Sequence, residues 1–232
     1  FILGSQETPR DGFRMAGSHS DSPGLQLKPK PLYHSAPYLQ LGVEVYGGPL
    51  LTTWFDRDLS IAGRVTFLDR HNNLVDSHID FKRPILSIPN LAIHLDREAN
   101  NGKQIDKQKS LPPLLAQAVS EQLPEFEQIL TDQLLVQDPN HNIEKVLGFD
   151  LFCYDPQPTA YLCLNDDFIS GGRLDNLLSC HVIASAIAAS DRRYNSLFLC
   201  TNHEENGSTS STGANGSFID SALTRILPEP DD

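Results

Sequence analysis

Between residues 39 and 81 the apolar positions keep a period of two. Leu39-Gln40-Leu41-Gly42-Val43-Glu44-Val45-Tyr46 alternates as a strand with one buried face requires, and Ile61 to Phe67 and Val75 to Phe81 do so less strictly. Gly47-Gly48 and His71-Asn72-Asn73 supply turn chemistry between these runs. Further on, apolar residues recur at three and four in Leu114 to Leu123 and Pro124 to Leu135, which predicts two helices. Phe149 to Tyr154 predicts a strand leaving this region, with Pro156 and Pro158 as a boundary. An antiparallel, β-rich domain over 29–155 therefore interrupts two segments of different character, 1–28 and 156–232.

Those flanking segments carry α/β patterning. Phe13 to Ser18 predicts a short strand delivering His19-Ser20-Asp21-Ser22-Pro23 into a loop, and Ala160 to Leu164 predicts another strand. From Asp175 the period becomes helical, with Leu178, Val182, Ser185, Ala186 and Ala189 on one face, and Leu197-Phe198-Leu199-Cys200 follows as a buried strand. A helix leading into a strand is the unit of an α/β sheet, and such sheets place ligands at the carboxyl ends of their strands.

Composition narrows the classes. With 18 Lys plus Arg against 30 Asp plus Glu, the formal charge is -12 and no basic stripe appears, which argues against a nucleic-acid partner. No run approaches the roughly 18 apolar residues of a membrane span. Phe1-Ile2-Leu3 lacks the charged region of a secretory signal, so the expectation is a soluble, cytoplasmic protein with no membrane partner. Cys153, Cys163, Cys180 and Cys200 form no C-x-x-C pair and lie in apolar stretches, so they read as small core residues in a reducing compartment.

The candidate chemistry sits where strands end. In Asn202-His203-Glu204-Glu205-Asn206-Gly207 two adjacent carboxylates point to different sides, so that one can ligate a metal while the other handles a proton; an acidic turn is the bland alternative. Asp21, two residues after His19, can hold the imidazole N–H opposite a metal, or can simply bond a local turn before Pro23. Asp175 at a helix start is either a cap or a ligand. Asp56-Arg57-Asp58 reads as an ion-pair cluster, and His94, within Leu91-Ala92-Ile93-His94-Leu95, as a core or interface histidine.

Taken together and in order, His19-Ser20-Asp21-Ser22-Pro23, Trp54-Phe55-Asp56-Arg57-Asp58-Leu59, Leu91 to Leu95, Arg173-Leu174-Asp175-Asn176-Leu177 and His203-Glu204-Glu205 resemble the aspartyl aminopeptidase family of dinuclear zinc exopeptidases. The resemblance implies a mixed α/β sheet flanked by helices, with an inserted β-rich dimerisation domain. It implies two zinc ions per active site, with His19 on one, Glu205 on the other and Asp175 bridging them. Asp21 would orient His19, and Glu204 would be the general base toward a metal-bridging water. The implied activity is removal of acidic (Asp or Glu) residues from the amino termini of peptides. The implied assembly is a dimer that builds a homo-oligomeric dodecamer, in which His94 reaches a neighbouring subunit's active site.

The chain departs from the family pattern at Asn202 and Asn206, where an aspartate and an aliphatic residue are usual. The family's remaining aspartate and histidine zinc ligands fall downstream of the glutamate pair. The expectation is therefore a portion lacking the carboxy-terminal part of the catalytic domain, holding zinc weakly unless His203 or Asp167 completes the site. A non-catalytic piece or paralogue serving as an assembly module is the rival expectation. A hydrolase using two carboxylates without metal is the poorer one, because it leaves His19 and Asp21 without a role.

Overall fold

The computed structural model describes residues 2–8, 11–102, 104–118 and 125–227. The chain forms two compact units, one from Phe1–Pro23 with Thr159–Asp232 and the other from Gly24–Pro158. Strand β1 (Arg14–His19) belongs to the first.

The second unit contains β2 (Gly24–Ser35), β3 (Tyr38–Tyr46), β4 (Ser60–Asp69), β5 (Leu74–Asp80), β6 (Leu114–Gln117), α1 (Phe126–Gln137) and β7 (Ile143–Tyr154). Its sheet has the order β5-β4-β7-β2-β3-β6 with antiparallel pairings. Strand β2 starts at Gly24 and runs past Pro29 without a break, so residues 24–28 belong to this sheet. Alternation buries Leu39, Leu41 and Val43 of β3 and Ile61, Val65 and Phe67 of β4. In α1 the four-residue spacing of Phe126, Leu130 and Leu134 brings all three into the same core.

Two irregularities explain where the pattern was hard to read. The β2–β3 register shifts between Leu27 and Leu32, across Pro29 and Pro31, which have no N–H to offer a ladder. In β7 the pairing with β4 skips Leu147, so Val146 and Leu151 both face the core although five residues separate them. Gly63 is also constrained: a Cβ there would lie 2.1 Å from the Asp150 carbonyl oxygen of the paired strand.

The expected helix over Leu114 to Leu123 is corrected in its first part. Leu114–Gln117 is the edge strand β6, paired with β3, and Leu114 exchanges backbone hydrogen bonds with Ser87. So short a stretch takes its conformation from the sheet it joins rather than from its own spacing. Residues 119–124 of the two expected helices lie outside the described residues.

The first unit continues with β8 (Ala160–Leu162) and β9 (Phe168–Ser170), an antiparallel pair, then α2 (Leu174–Ala188), β10 (Ser196–Thr201) and α3 (Phe218–Ile226). Strands β1 and β10 are parallel in one unbroken register from Arg14↔Ser196 to His19↔Thr201, and α2 packs on both. The half-buried positions of α2 are Asn176, Ser179, Cys180, Ile183 and Ile187. Leu178 and Val182, expected on its packed face, are exposed. A helix rich in alanine and apolar on several sides does not declare which side is inward. The chain is mixed α/β, with sheets flanked by helices, and no helix among the described residues is long and apolar enough to cross a membrane.

Candidate metal centre

His19 ends β1, and its register partner Thr201 ends β10, so the chain leaves both strands at the same edge. Ser20 N–H donates to the Thr201 carbonyl at 2.9 Å and continues that pairing by one step. After Thr201 the chain turns at His203, whose φ is 58°, into one 3₁₀ turn over Glu204–Asn206, which closes at Gly207 with φ 90°. That left-handed backbone at Gly207 is a conformation glycine adopts without strain.

Asp21 organises this corner. Its Oδ1 accepts from the Glu204 N–H and its Oδ2 from the Glu205 N–H, both at 3.2 Å. The same carboxylate lies 3.3 Å from His19 Nδ1, which is also 3.1 Å from the Asp21 carbonyl oxygen. With Nδ1 engaged, His19 Nε2 faces the acids, 3.5 Å from Asp175 Oδ1 and 3.8 Å from Glu204 Oε2. Donor atoms of His19, Glu204 and Glu205 lie within 4.8 Å of one another.

Asp175 does not cap α2. Its backbone is non-helical (φ -86°, ψ 111°), its carbonyl accepts from Ser22 Oγ at 2.9 Å, and its side chain is 89% exposed. Asp175 and Glu204 thus crowd one imidazole nitrogen that has its other side tied to Asp21. The carboxyl of Glu205 is pushed above its ordinary value, first by desolvation and then by the charges of Glu204, Asp21 and Asp175, against the opposing pull of His19. One imidazole nitrogen with converging carboxylate oxygens is a donor set that fits a borderline divalent cation, and a cation there relieves the repulsion Glu205 feels.

Over residues 1–232 the sequence matches the family described as aminopeptidase I zinc metalloprotease (M18). The chain belongs to the M18 peptidase family. Zinc is accordingly the cation for which this M18 donor set is suited. The probable M18 family aminopeptidase 2 of Stutzerimonas stutzeri (strain A1501) is 49% identical over an alignment of 234 positions that covers 100% of this chain and 54% of that protein. A cryo-EM structure of the Ape4 and Nbr1 complex superposes with a TM-score of 0.89 at 31% identity, covering 98% of this chain and 47% of the other. The structure of Chaetomium thermophilum mApe1 gives 0.83 at 28% identity, covering 96% and 53%. The M18 chain described here spans about half the length of the curated relatives it matches.

In this M18 chain His19, Glu204 and Glu205 form the donor group, while Asp21 and Asp175 approach it through His19, Asp175 at 3.5 Å and outside the group itself. Neither His203 nor Asp167 joins the described donor group; His203 Nδ1 instead meets Ser210 Oγ at 2.6 Å, tying the glutamate turn to the loop beyond it. Asn202 turns its Oδ1 onto the His203 N–H at 2.9 Å, and its own N–H donates to the Thr212 carbonyl at 3.1 Å. Asn206 N–H donates to the His203 carbonyl at 3.2 Å. The Asn202 side chain therefore folds the loop locally.

Three expectations need correction. His94 belongs to the second unit and is exposed in a turn, which removes the core half of its core-or-interface reading and leaves the interface half. Asp56, Arg57 and Asp58 are not a mutual ion-pair cluster. Arg57 pairs with Asp155, while Asp56 accepts from the backbone and side-chain amides of Asn90, each at 2.9 Å. Of the cysteines only Cys153 is buried; Cys163 and Cys200 are exposed and Cys180 is half-buried. The reason lies in β10, a strand whose two faces differ: Leu197 is buried on one and Cys200 is not on the other.

Asparagine 195 is the residue that pattern reasoning passed over. It is fully buried and bonds Gly4 N–H through Oδ1 at 2.9 Å and the Thr8 and Gly12 carbonyls through Nδ2 at 2.6 and 3.0 Å. Standing immediately before β10, it pins the segment that leads into β1. An asparagine between Tyr194 and Ser196 reads as a turn residue, and its partners lie more than 180 positions away.

Proposed function

We propose that this chain carries one part of the active site of a zinc aminopeptidase that removes acidic amino-terminal residues from peptides. The observation that carries it is the convergence of His19 Nε2 with the Asp175 and Glu204 carboxylates, backed by Asp21 on the opposite ring nitrogen. His19, Asp175 and Glu205 would hold zinc, two ions in the whole protein. Bound zinc would supply an electrophile for the scissile carbonyl and an acidified water.

The protein's own groups then divide the work. Asp21 keeps the His19 proton on Nδ1 and fixes the amides of Glu204 and Glu205. Glu204, more exposed than Glu205, takes the proton of the attacking water on its carboxylate and passes it to the leaving amine. For the second unit we propose a dimerisation role within a homo-oligomer that extends to a dodecamer. There His94, exposed among Leu91, Ile93 and Leu95, would meet a neighbouring subunit's active site. A cytoplasmic location completes the proposal.

The test is metal analysis and turnover of the protein at its full encoded length. Two zinc ions per chain and faster release of Asp or Glu than of Leu from a peptide are expected. Glu204→Gln should retain zinc and lower kcat by about 10²- to 10⁴-fold. Near wild-type turnover in Glu204→Gln would remove Glu204 from its role, and full activity in a zinc-stripped protein would end the metallopeptidase reading.

A further inference from the structure

Two thiols meet one residue away from the candidate metal ligand His19. Cys180 on α2 and Cys200 on β10 have their sulfurs 3.3 Å apart. Cys200 is the register partner of Ser18, whose Oγ lies 3.1 Å from Cys180 Sγ. Cys180 Sγ–H also donates to the backbone carbonyl of His19 at 3.1 Å. Three elements, β1, β10 and α2, are therefore joined at one sulfur pair, and that pair touches the main chain of the imidazole that faces Asp175 and Glu204. The metal chemistry makes no use of either thiol.

We propose that Cys180 and Cys200 are a reversible dithiol–disulfide site, oxidised by hydrogen peroxide, whose closure weakens the hold of His19 on its metal. Cys200, the more exposed residue of the two, reacts first. Its sulfur attacks a peroxide oxygen, the O–O bond breaks, and water leaves with the thiol proton while Cys200 becomes a sulfenic acid. The Cys180 sulfur then attacks the Cys200 sulfur. The S–S bond forms, the S–O bond breaks, and a second water leaves with the Cys180 proton. The two thiols have given two electrons to one peroxide. A small dithiol reverses the step by exchange.

Burial and the neighbouring Cys180 hold the Cys200 thiol above its ordinary value, which slows the first step without changing where the bond forms. The structural consequence follows from length. Closing a 3.3 Å contact to a bond of about 2.05 Å draws α2 toward β10 and removes the S–H that the His19 carbonyl accepts. By contrast Cys153 belongs to the second unit, is enclosed, and has its thiol pushed up to about 12, so it stays reduced under the same treatment.

The metal half of this proposal rests on the zinc reading above; the dithiol half does not. The experiment treats the full-length, zinc-loaded protein with hydrogen peroxide, alkylates free thiols without reduction, and maps the peptides by mass spectrometry while a chromogenic chelator records released zinc. A peptide pair linked through Cys180 and Cys200 is expected. It should be absent in Cys200→Ser and opened by dithiothreitol, with zinc affinity about tenfold or more lower in the linked form. Cys180→Ala, read by the same map, guards against a folding defect in the serine variant. Alkylation of both cysteines after peroxide, or separate sulfinic acids, would overturn the dithiol. A linked pair with zinc affinity unchanged would overturn the coupling. A protein that binds no zinc before oxidation would defeat the metal reading, and the peptide map would still decide whether the sulfurs join.

Discussion

The two units are held together by different physics. In Gly24–Pro158 a continuous apolar core runs from Leu25 and Leu41 through Val65 and Phe67 to Leu130 and Leu151, all nearly inaccessible. In the other unit Leu197 is the one buried hydrophobic side chain among the described residues, and Tyr161, Leu164, Phe168, Leu178 and Val182 are exposed. What fixes its geometry is polar: the Asn195 amide under the first strand, and the Asp21 carboxylate across two backbone amides. Burial gives a sheet its stability, while directional bonds give a site its precision.

The sharpest contrast is in core truncation. Leu151→Ala leaves a hole at a position with no exposure and is expected to cost about 2–5 kcal/mol, whereas Leu178→Ala on the open face of α2 should stay within about 0.5 kcal/mol. Urea unfolding followed by the single tryptophan, Trp54, reads the second unit, because Trp54 packs against that core, and hydrogen-exchange protection of the α2 amides reads the first. Equal losses for the two variants would mean that α2 is covered in solution and that the contrast between the units is smaller than the described residues indicate.

A smaller effect is expected at Asp21. Asp21→Asn keeps the size of the side chain but replaces one acceptor oxygen with a donor amide that faces a backbone N–H. It also removes the charge opposite His19. Zinc affinity should fall by about 10- to 100-fold, as when other outer partners of metal ligands are lost, with the urea transition at Trp54 unmoved. Isothermal titration with zinc measures the first and tryptophan emission the second. If both change together, the polar corner and the apolar core are not separate supports.

The same division explains what the sequence made legible. Strands β3, β4 and β5 announced themselves because one face is buried and the period of two survives, as in Leu39, Leu41 and Val43. Strand β6 was hidden because four residues at a sheet edge carry too little pattern, and of β7 only Phe149 to Tyr154 was legible because Leu147 breaks the phase before it. At the site, His19, Asp21, Glu204 and Glu205 were visible as residue types at strand ends and Asp175 as one at a helix start. Their family resemblance supplied the roles that spacing alone left open. The Asp21 fork, the Asn195 anchor and the Cys180–Cys200 contact were not visible, since each joins positions between 20 and 191 residues apart through directional bonds that leave no periodic trace.

Acid should separate the two supports last and most weakly. Asp56 accepts from both amides of Asn90, and Asp11 accepts from the Thr8 N–H and hydroxyl; these bonds hold both carboxyls below their ordinary value. A carboxyl with a depressed folded value contributes stability that is fully present above its unfolded pKa of about 3.9 and is lost as pH falls through the lower folded value. Both contributions therefore begin to fade near pH 4 and are gone only below the lower folded values, and both are small because the groups are open to solvent. Their reach differs. Losing the Asp56 clamp frees the start of the 90–95 turn while the sheet beneath stays held by its core. Losing the Asp11 clamp loosens Thr8, whose carbonyl is a partner of the buried Asn195 amide, so the disturbance passes to the segment entering β1. Hydrogen-exchange protection, corrected for intrinsic rates and followed from pH 6 to below pH 4, should fall only around residues 90–95 in the second unit. In the first unit it should fall across residues 4–8 and on toward Ser196. A loss confined to Thr8 and Asp11 would show that Asn195 holds its segment without help, and that the first unit resists local damage as well as the second does.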